Sequence, residues 1–423
     1  MYQYSTAYSA TQSFATSMDA NDPLAHFKSQ FHFPKHGDHD VIYFCGNSLG
    51  LQPKNVAAAI DTELASWRDL AIGGYFGGTN PWLHYQEYTR VTLGTMMGAK
   101  EHEITVMNAL TVNLHLLMLS FYKPTSSRFK IIMEAGAFPS DQYAVETLVK
   151  HFNLDPATAI IEIKPEAGKK TIDNSAITQA IYEAGDSLAM VLFGGINYYT
   201  GQLFDIKSIT EATHHVGAIA AFDLAHVAGN VPMELHGWNV DFAVWCSYKY
   251  LNAGPGAVGG VFVHEKHATN IHTPRLGGWW GNDEATRFKM EKGFVAKPTA
   301  SGWNMSTAQV FNTVCLKASL SMFEEAGIQN LRQKSIALTG YLAYLLEQLT
   351  TLSFTLITPA DPNQRGAQLC LYFEEKGKEI YQKKKEHGIV VDYREPGVIR
   401  VAPAPLYCSF EDVYRFYEIL KTF

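Results

Sequence analysis

Asp241-Phe-Ala-Val-Trp-Cys-Ser-Tyr-Lys-Tyr250 (DFAVWCSYKY) runs without interruption through the apolar residues Phe242 to Cys246 and then stops on Ser247, Tyr248 and Lys249. So short and so apolar a run reads as a strand buried on both faces, the habit of a parallel sheet flanked by helices. A lysine at the end of such a strand has to be paired, hydrogen-bonded or desolvated. A salt bridge explains Lys249 as well as anything else from this segment alone. Desolvation, however, lowers lysine basicity and makes the amine nucleophilic enough to condense with a carbonyl.

Working outward, the strand Ala218–Phe222 ends in Asp223, followed by Leu224, Ala225 and His226. An acid at the carboxyl end of a parallel strand points into the crevice where such sheets bind ligands. A helix N-cap accounts for Asp223 alone. With Lys249 closing the next strand, a better reading is a carboxylate that keeps a pyridine nitrogen protonated, with His226 against the ring. Further upstream, Glu103–Met107 is followed by Asn108, Ala109, Leu110 and Thr111, which open a helix whose free N–H groups and threonine hydroxyl suit a phosphate. After Lys130–Met133 come Phe138, Pro139, Ser140 and Asp141, a turn able to bring an aromatic face and a carboxylate to the same crevice, although a plain turn with a helix cap fits equally well. Downstream, Gly254, Gly256 and Gly259 match the GxGxxG spacing but run into Val261–Val263 and not into a helix, so they make no dinucleotide site.

Between Ala99 and His264 further short apolar runs (Ala159–Ile163, Ala189–Phe193, Val258–Val263) alternate with helical segments. The chain is therefore expected to be α/β, with a mostly parallel sheet between helices over residues 50–310. A long helical region, Ala308 to Leu349, leads into strands at Ser353–Ile357, Gln368–Phe373 and Val398–Val401 and helices near Lys376–Glu386 and Ser409–Leu420. Residues 311–423 thus read as a smaller α+β domain, joined by residues 1–49, a loose N-terminal arm. The basic run Lys383–Lys385 reads as a solvated helix face.

The 423 residues carry 34 basic and 41 acidic side chains, a net charge of −7, and no basic stretch interleaved with aromatics, which argues against nucleic acid as a partner. Five unpaired-looking cysteines speak for a reducing compartment, and with neither a secretory leader nor an apolar stretch of spanning length read in the sequence, the chain is expected in the cytoplasm, off the membrane. His32, His36, His39, His264 and His267 lack the ligand spacing of a zinc site and read as ordinary surface histidines, with no metal expected.

With these residues in place, the chain resembles the fold-type-I pyridoxal 5′-phosphate (PLP) enzymes, which carry a phosphate turn, an acid under the ring and a Schiff-base lysine in that order. YFCGNSLGLQPK (Tyr43–Lys54), FPSD (Phe138–Asp141), YYTGQ (Tyr198–Gln202), FDLAHVAGN (Phe222–Asn230), WCSYKYLNAGPG (Trp245–Gly256) and RVAPAPLY (Arg400–Tyr407) resemble the kynureninase family more narrowly. The resemblance implies PLP fold type I, with a large domain built on a seven-stranded type of sheet plus a smaller α+β domain. It also implies hydrolytic Cβ–Cγ cleavage of L-kynurenine, or its 3-hydroxy form, to anthranilate (or 3-hydroxyanthranilate) and L-alanine in tryptophan degradation. Lys249, Tyr248 and Asp223 would be catalytic. Leu110, Thr111, Phe138, Ser140, Asp141, Asp223, His226, Tyr248 and Lys249 would hold PLP; Trp279 and Thr307 would reach the phosphate from the neighbouring subunit of a homodimer. Arg400, with Asn47 and Ser48, would bind the substrate. Gly194 stands where some members have serine, and Thr307 where some have asparagine. The competing readings are a cysteine desulfurase or selenocysteine lyase, disfavoured because neither Cys370 nor Cys408 looks like an exposed nucleophile, and a PLP-binding protein without catalysis.

Overall fold

The computed structural model describes residues 3–5, 7–270 and 272–423. Seven strands form one sheet: β1 Ile104–Met107, β2 Lys130–Glu134, β3 Ile160–Ile163, β4 Leu188–Gly194, β5 Ile219–Asp223, β6 Phe242–Cys246 and β7 Gly259–Val263. Their spatial order is β1-β7-β6-β5-β4-β2-β3, and only β7 runs against the others. The reason is local. A helix-bearing crossover is what returns a chain parallel to itself, and the link from Ser247 to Val258 contains no helix.

Alternate residues of these strands feed two apolar layers. Ile132, Val191, Phe193, Ala220, Phe222 and Trp245 face one side, whereas Ile131, Met133, Leu192, Ala221, Phe242 and Val244 face the other. Helices cover both faces, so the strands show no polar side, which is why they read as continuous apolar runs. Register aligns the carboxyl ends. Asp223 stands opposite Gly194 and Val244, Cys246 opposite Gly259, and Gly259 opposite Met107. The residues that follow these ends therefore meet along one edge.

The expected long helical region is two helices, Val310–Ala326 and Ile328–Glu347, broken at Gly327, whose φ of 73° an L-residue adopts poorly. The second sheet is antiparallel, β8 Thr355–Leu356, β9 Leu369–Tyr372, β10 Asp392–Arg394 and β11 Val398–Val401, in the order β8-β9-β11-β10.

Two expectations are corrected here. The N-terminal arm is not loose: Gln12–Ala20 is a helix, the Asp19 carboxylate accepts the Phe410 and Glu411 amides at 2.7 and 2.9 Å, and buried Asp22 pairs with buried Lys334 at 2.7 Å. Ile42–Tyr43 also pairs in parallel with Ile389–Val390. Nor is Lys383–Lys385 wholly a solvated face, because Lys384 is fully buried with no hydrogen-bond partner, its Nζ 5.0 Å from the Phe416 ring centre. Burial lowers its basicity to about 7.

Lys384→Met is therefore expected to stabilise the fold by about 1–3 kcal/mol, the usual cost of an unsatisfied buried polar group. With the folded value below the unfolded one, the unfolded chain holds the extra proton between about pH 7 and the ordinary lysine range. Wild-type stability rises through that window, so the advantage of the methionine variant should be full at pH 6 and shrink by pH 9. Thermal melts at the two pH values check this; an unstabilised variant at pH 6 refutes it.

Candidate active site

The edge formed by the strand ends holds an open pocket enclosing about 550 Å³, its mouth included, lined by Leu110, Thr111, Phe138, Ser140, Asp141, Asp223, His226, Tyr248 and Lys249, all expected from sequence. Lys249, 9% exposed, lies 3.0 Å by its Nζ from His226 Nε2 and 5.7 Å from the centre of the Phe138 ring. Burial, reinforced by the charges of Lys249 and Arg400, drives the His226 imidazole well below its usual range, so it is neutral and accepts from the lysine. Its other nitrogen, Nδ1, then carries the hydrogen and has no partner.

Asp223 accepts the Ala225 amide at 2.7 Å, so the cap-like turn and the pocket carboxylate are both real. Burial raises its carboxyl, against the opposing pull of Lys249 and of a hydrogen bond from Asp141. Asp141 is raised further, by burial first and then by the Asp223 charge. Asp141 therefore keeps the proton and donates it to Asp223, leaving Asp141 Oδ1 unpartnered in the pocket wall. At the other end, the helix Leu110–Phe121 starts at Ala109 with no side chain capping it, so its first amides are open to an anion. Burial pushes the Tyr248 phenol up, so Tyr248 keeps its proton.

An amine, a buried carboxylate, an aromatic wall and an uncapped helix start, together with orphaned polar atoms on His226 and Asp141, match a flat heteroaromatic ring that carries an aldehyde and a phosphate. The donor set fits PLP.

Arg400, Asn47 and Ser48 form a separate cluster beside the pocket. Fully buried Arg400 donates from Nη1 to the Tyr198 carbonyl at 2.7 Å and from Nη2 to Ser48 Oγ at 3.0 Å and to Asp392. Ser48 also bonds Asp392, and Asn47 donates to Gln368 Oε1 at 2.8 Å. Tyr198 joins the two groups, since it lines the pocket and its ring packs edge-on to Phe138 at 5.3 Å. Trp279 and Thr307 do not line the pocket; Trp279 is 46% exposed and packs on Trp280 and Phe288.

Sequence reading missed Glu134, Asn197, Tyr198 as a pocket wall, and Asp392. Glu134 lines the pocket almost completely buried, accepts from Asn197 Nδ2 at 2.7 Å and from the Gly194 amide, and is pushed up to about 7 by its burial. The one signal for it was an acid closing an otherwise apolar strand, the same pattern that marked Asp223. Gly194 also takes on a reason: a Cβ there would lie 2.7 Å from Glu134 Oε1.

The histidines divide. His32, His36 and His39 are exposed, whereas His264 is buried near Glu103 and stacks on His236, and His267 bonds Asp241 at 2.7 Å. His267 is a structural partner of a buried acid, and His264 is an interior residue whose Nδ1 accepts the Lys266 amide at 3.2 Å, so neither is a free surface group. Burial raises the Cys370 thiol to about 11 and lifts Cys408 as well, so neither is a ready nucleophile.

The chain is 50% identical over 412 residues to a curated kynureninase of Myxococcus xanthus, covering 97% of each chain, and 47% identical over 413 residues to that of Koribacter versatilis, again 97% of each. The chain belongs to the kynureninase family. The kynureninase of Nematostella vectensis is 44% identical, across 97% of this chain and 93% of its own, and residues 331–420 match the family description "Kynureninase C-terminal domain". Among solved structures, a cysteine desulfurase of Thermococcus onnurineus superposes with a TM-score of 0.75 at 19% identity over 90% of this chain and 94% of its own. A cystine C–S lyase with its product cysteine persulfide gives 0.76 at 18% over 93% of this chain and 100% of its own. At such identities these structures share the fold alone, and it is the kynureninase relatives that distinguish this chain from the desulfurases.

Proposed function

We propose that the protein is a PLP-dependent hydrolase that cleaves the Cβ–Cγ bond of L-kynurenine or 3-hydroxy-L-kynurenine, releasing anthranilate or its 3-hydroxy form and L-alanine. One observation carries this: Lys249, Asp223 and the uncapped helix start at Leu110 converge on one pocket in a chain half identical to a kynureninase. Bound there, PLP supplies a carbonyl for the substrate amine and an electron sink for the pair left by a breaking bond.

The chain's own groups do the rest. With PLP bound, Asp223, held by Asp141, would keep the pyridine nitrogen protonated, Phe138 and Ser140 would border the ring, and the amides of Leu110 and Thr111 would take the phosphate. Lys249 would anchor the cofactor, and its Nζ would take the proton from the substrate Cα. Tyr248 Oη moves the proton as water adds to the γ-carbonyl. Arg400 offers its guanidinium to the α-carboxylate, flanked by Asn47 and Ser48.

Trp279 and Thr307 serve the pocket of a second copy, which fits the exposed apolar group Leu276, Trp279, Phe288, Met290 and Phe294. The protein is then a homodimer, and light scattering should return twice the 47.1 kDa chain mass. Five free cysteines, and no helix among the described residues long and apolar enough to cross a membrane, fit a cytoplasmic enzyme. The test is purified protein with PLP and L-kynurenine, followed by anthranilate fluorescence and alanine release, with 3-hydroxykynurenine in parallel. Anthranilate formation supports the reading; sulfide from L-cysteine without any cleavage of either kynurenine overturns it.

A further inference from the structure

We propose that Glu134 is a positioning residue for substrate binding: through Asn197 it holds the turn whose Tyr198 carbonyl anchors Arg400. This rests on the reading of Arg400 as the carboxylate-binding residue. Glu134 closes β2, and its carboxylate accepts from the Gly194 amide and from Asn197 Nδ2. Asn197, itself buried, is saturated on its other side. Its Oδ1 accepts the amides of Tyr199 and Thr200 at 3.0 and 2.8 Å and the Thr200 hydroxyl at 3.1 Å.

That arrangement leaves the Asn197 amide no freedom. Turning it over would set its NH2 against two backbone N–H donors, so Nδ2 must face Glu134, and only an acceptor there satisfies it. The turn is closed further by Asn197 N–H to Gln202 O at 2.8 Å. Between its two ends sits Tyr198, whose carbonyl accepts from Arg400 Nη1 at 2.7 Å and from Gln368 Nε2 at 3.0 Å, while its ring backs Phe138. The acid thus lies at the head of a continuous path from the cofactor pocket to the substrate arginine. Gly194 is part of the device, since any Cβ at that position would press on the Glu134 oxygen.

Glu134→Gln tests this with little change of shape. Two donors, the Gly194 amide and Asn197 Nδ2, converge on position 134, and a glutamine offers one oxygen and an NH2 that opposes the second donor. In the holoenzyme, amide hydrogen exchange at Tyr199 and Thr200 should quicken by about tenfold or more, and KM for kynurenine should rise about tenfold, well beyond any fall in kcat. Gly194→Ala, which leaves the acid in place but crowds it, should move both readouts the same way. In Asn197→Ala the path is already cut, so adding Glu134→Gln should raise KM no further. Unchanged exchange in Glu134→Gln, a loss confined to kcat, or additive effects in the double variant would each overturn the proposal. If Glu134→Gln does not fold, Gly194→Ala decides on the same two readouts. A protein that cleaves no kynurenine would remove the functional reading, while the exchange measurement would still report whether Glu134 holds the turn.

Discussion

Lys249→Ala is expected to lower kcat by roughly 10⁴-fold or more, the scale on which a positioned acid–base group acts together with a covalent anchor. The amine, the nucleophile proposed for the pocket, lies close to both the neutral His226 and the Phe138 wall. His226 cannot replace it as a base, because burial holds the imidazole far below its ordinary basicity. Nor can Tyr248, whose phenol is pushed upward and stays protonated. The fold should survive, since alanine deletes a chain that touches only pocket groups and leaves no charge orphaned beyond the Asp141–Asp223 pair, which shares a proton. Circular dichroism should therefore match the wild type while anthranilate release disappears and the visible absorbance of lysine-bound cofactor is lost. Full activity in the alanine variant would remove Lys249 from the chemistry.

The large sheet is legible in the sequence because both its faces are apolar. Its strand Phe242–Cys246 has the limits expected, as does Val398–Val401 in the smaller sheet, and the groups that follow the parallel strand ends meet because strand direction alone brings them to one edge. What stayed hidden depended on long-range partners. Asp19, Asp22 and Lys334 tie the N-terminal arm down, but nothing in a Ser-, Thr- and Ala-rich segment announces that its few acids will meet a helix start and a lysine some three hundred residues away. Lys384 sits in a basic run that any local rule would leave in water; only the packing of Phe373 and Phe416 across it encloses it. The pocket shows the same division. Asp223 and Lys249 were visible as polar residues ending apolar strands, whereas Asp392 acquires its meaning only when β10 pairs with β11 and lays it opposite Arg400.

That pairing shapes the second large effect: Arg400→Ala should cut kcat/KM for kynurenine by between about 30-fold and several thousand-fold, carried mostly by KM, as expected when a buried charge-assisted contact worth about 2–5 kcal/mol loses one partner. Arg400 is held on three sides, by the Tyr198 carbonyl, Ser48 and Asp392, and its Nε has no partner. The guanidinium is therefore oriented before substrate arrives, so little ordering remains to be done on binding. Lysine cannot substitute: it keeps the charge but loses the planar fork that contacts Tyr198 and Asp392 together, so Arg400→Lys should recover only part of the loss. The structural cost of alanine is tempered because Asp392 keeps a second cation, Arg394 Nη1 at 2.9 Å. A purely structural role for Arg400 makes a different prediction, and the carboxamide of kynurenine separates the two. The wild type should strongly prefer the carboxylate over the carboxamide, and Arg400→Ala should lose that preference. A variant that stays folded, binds more weakly and still discriminates between the two would show that the carboxylate is read by another group.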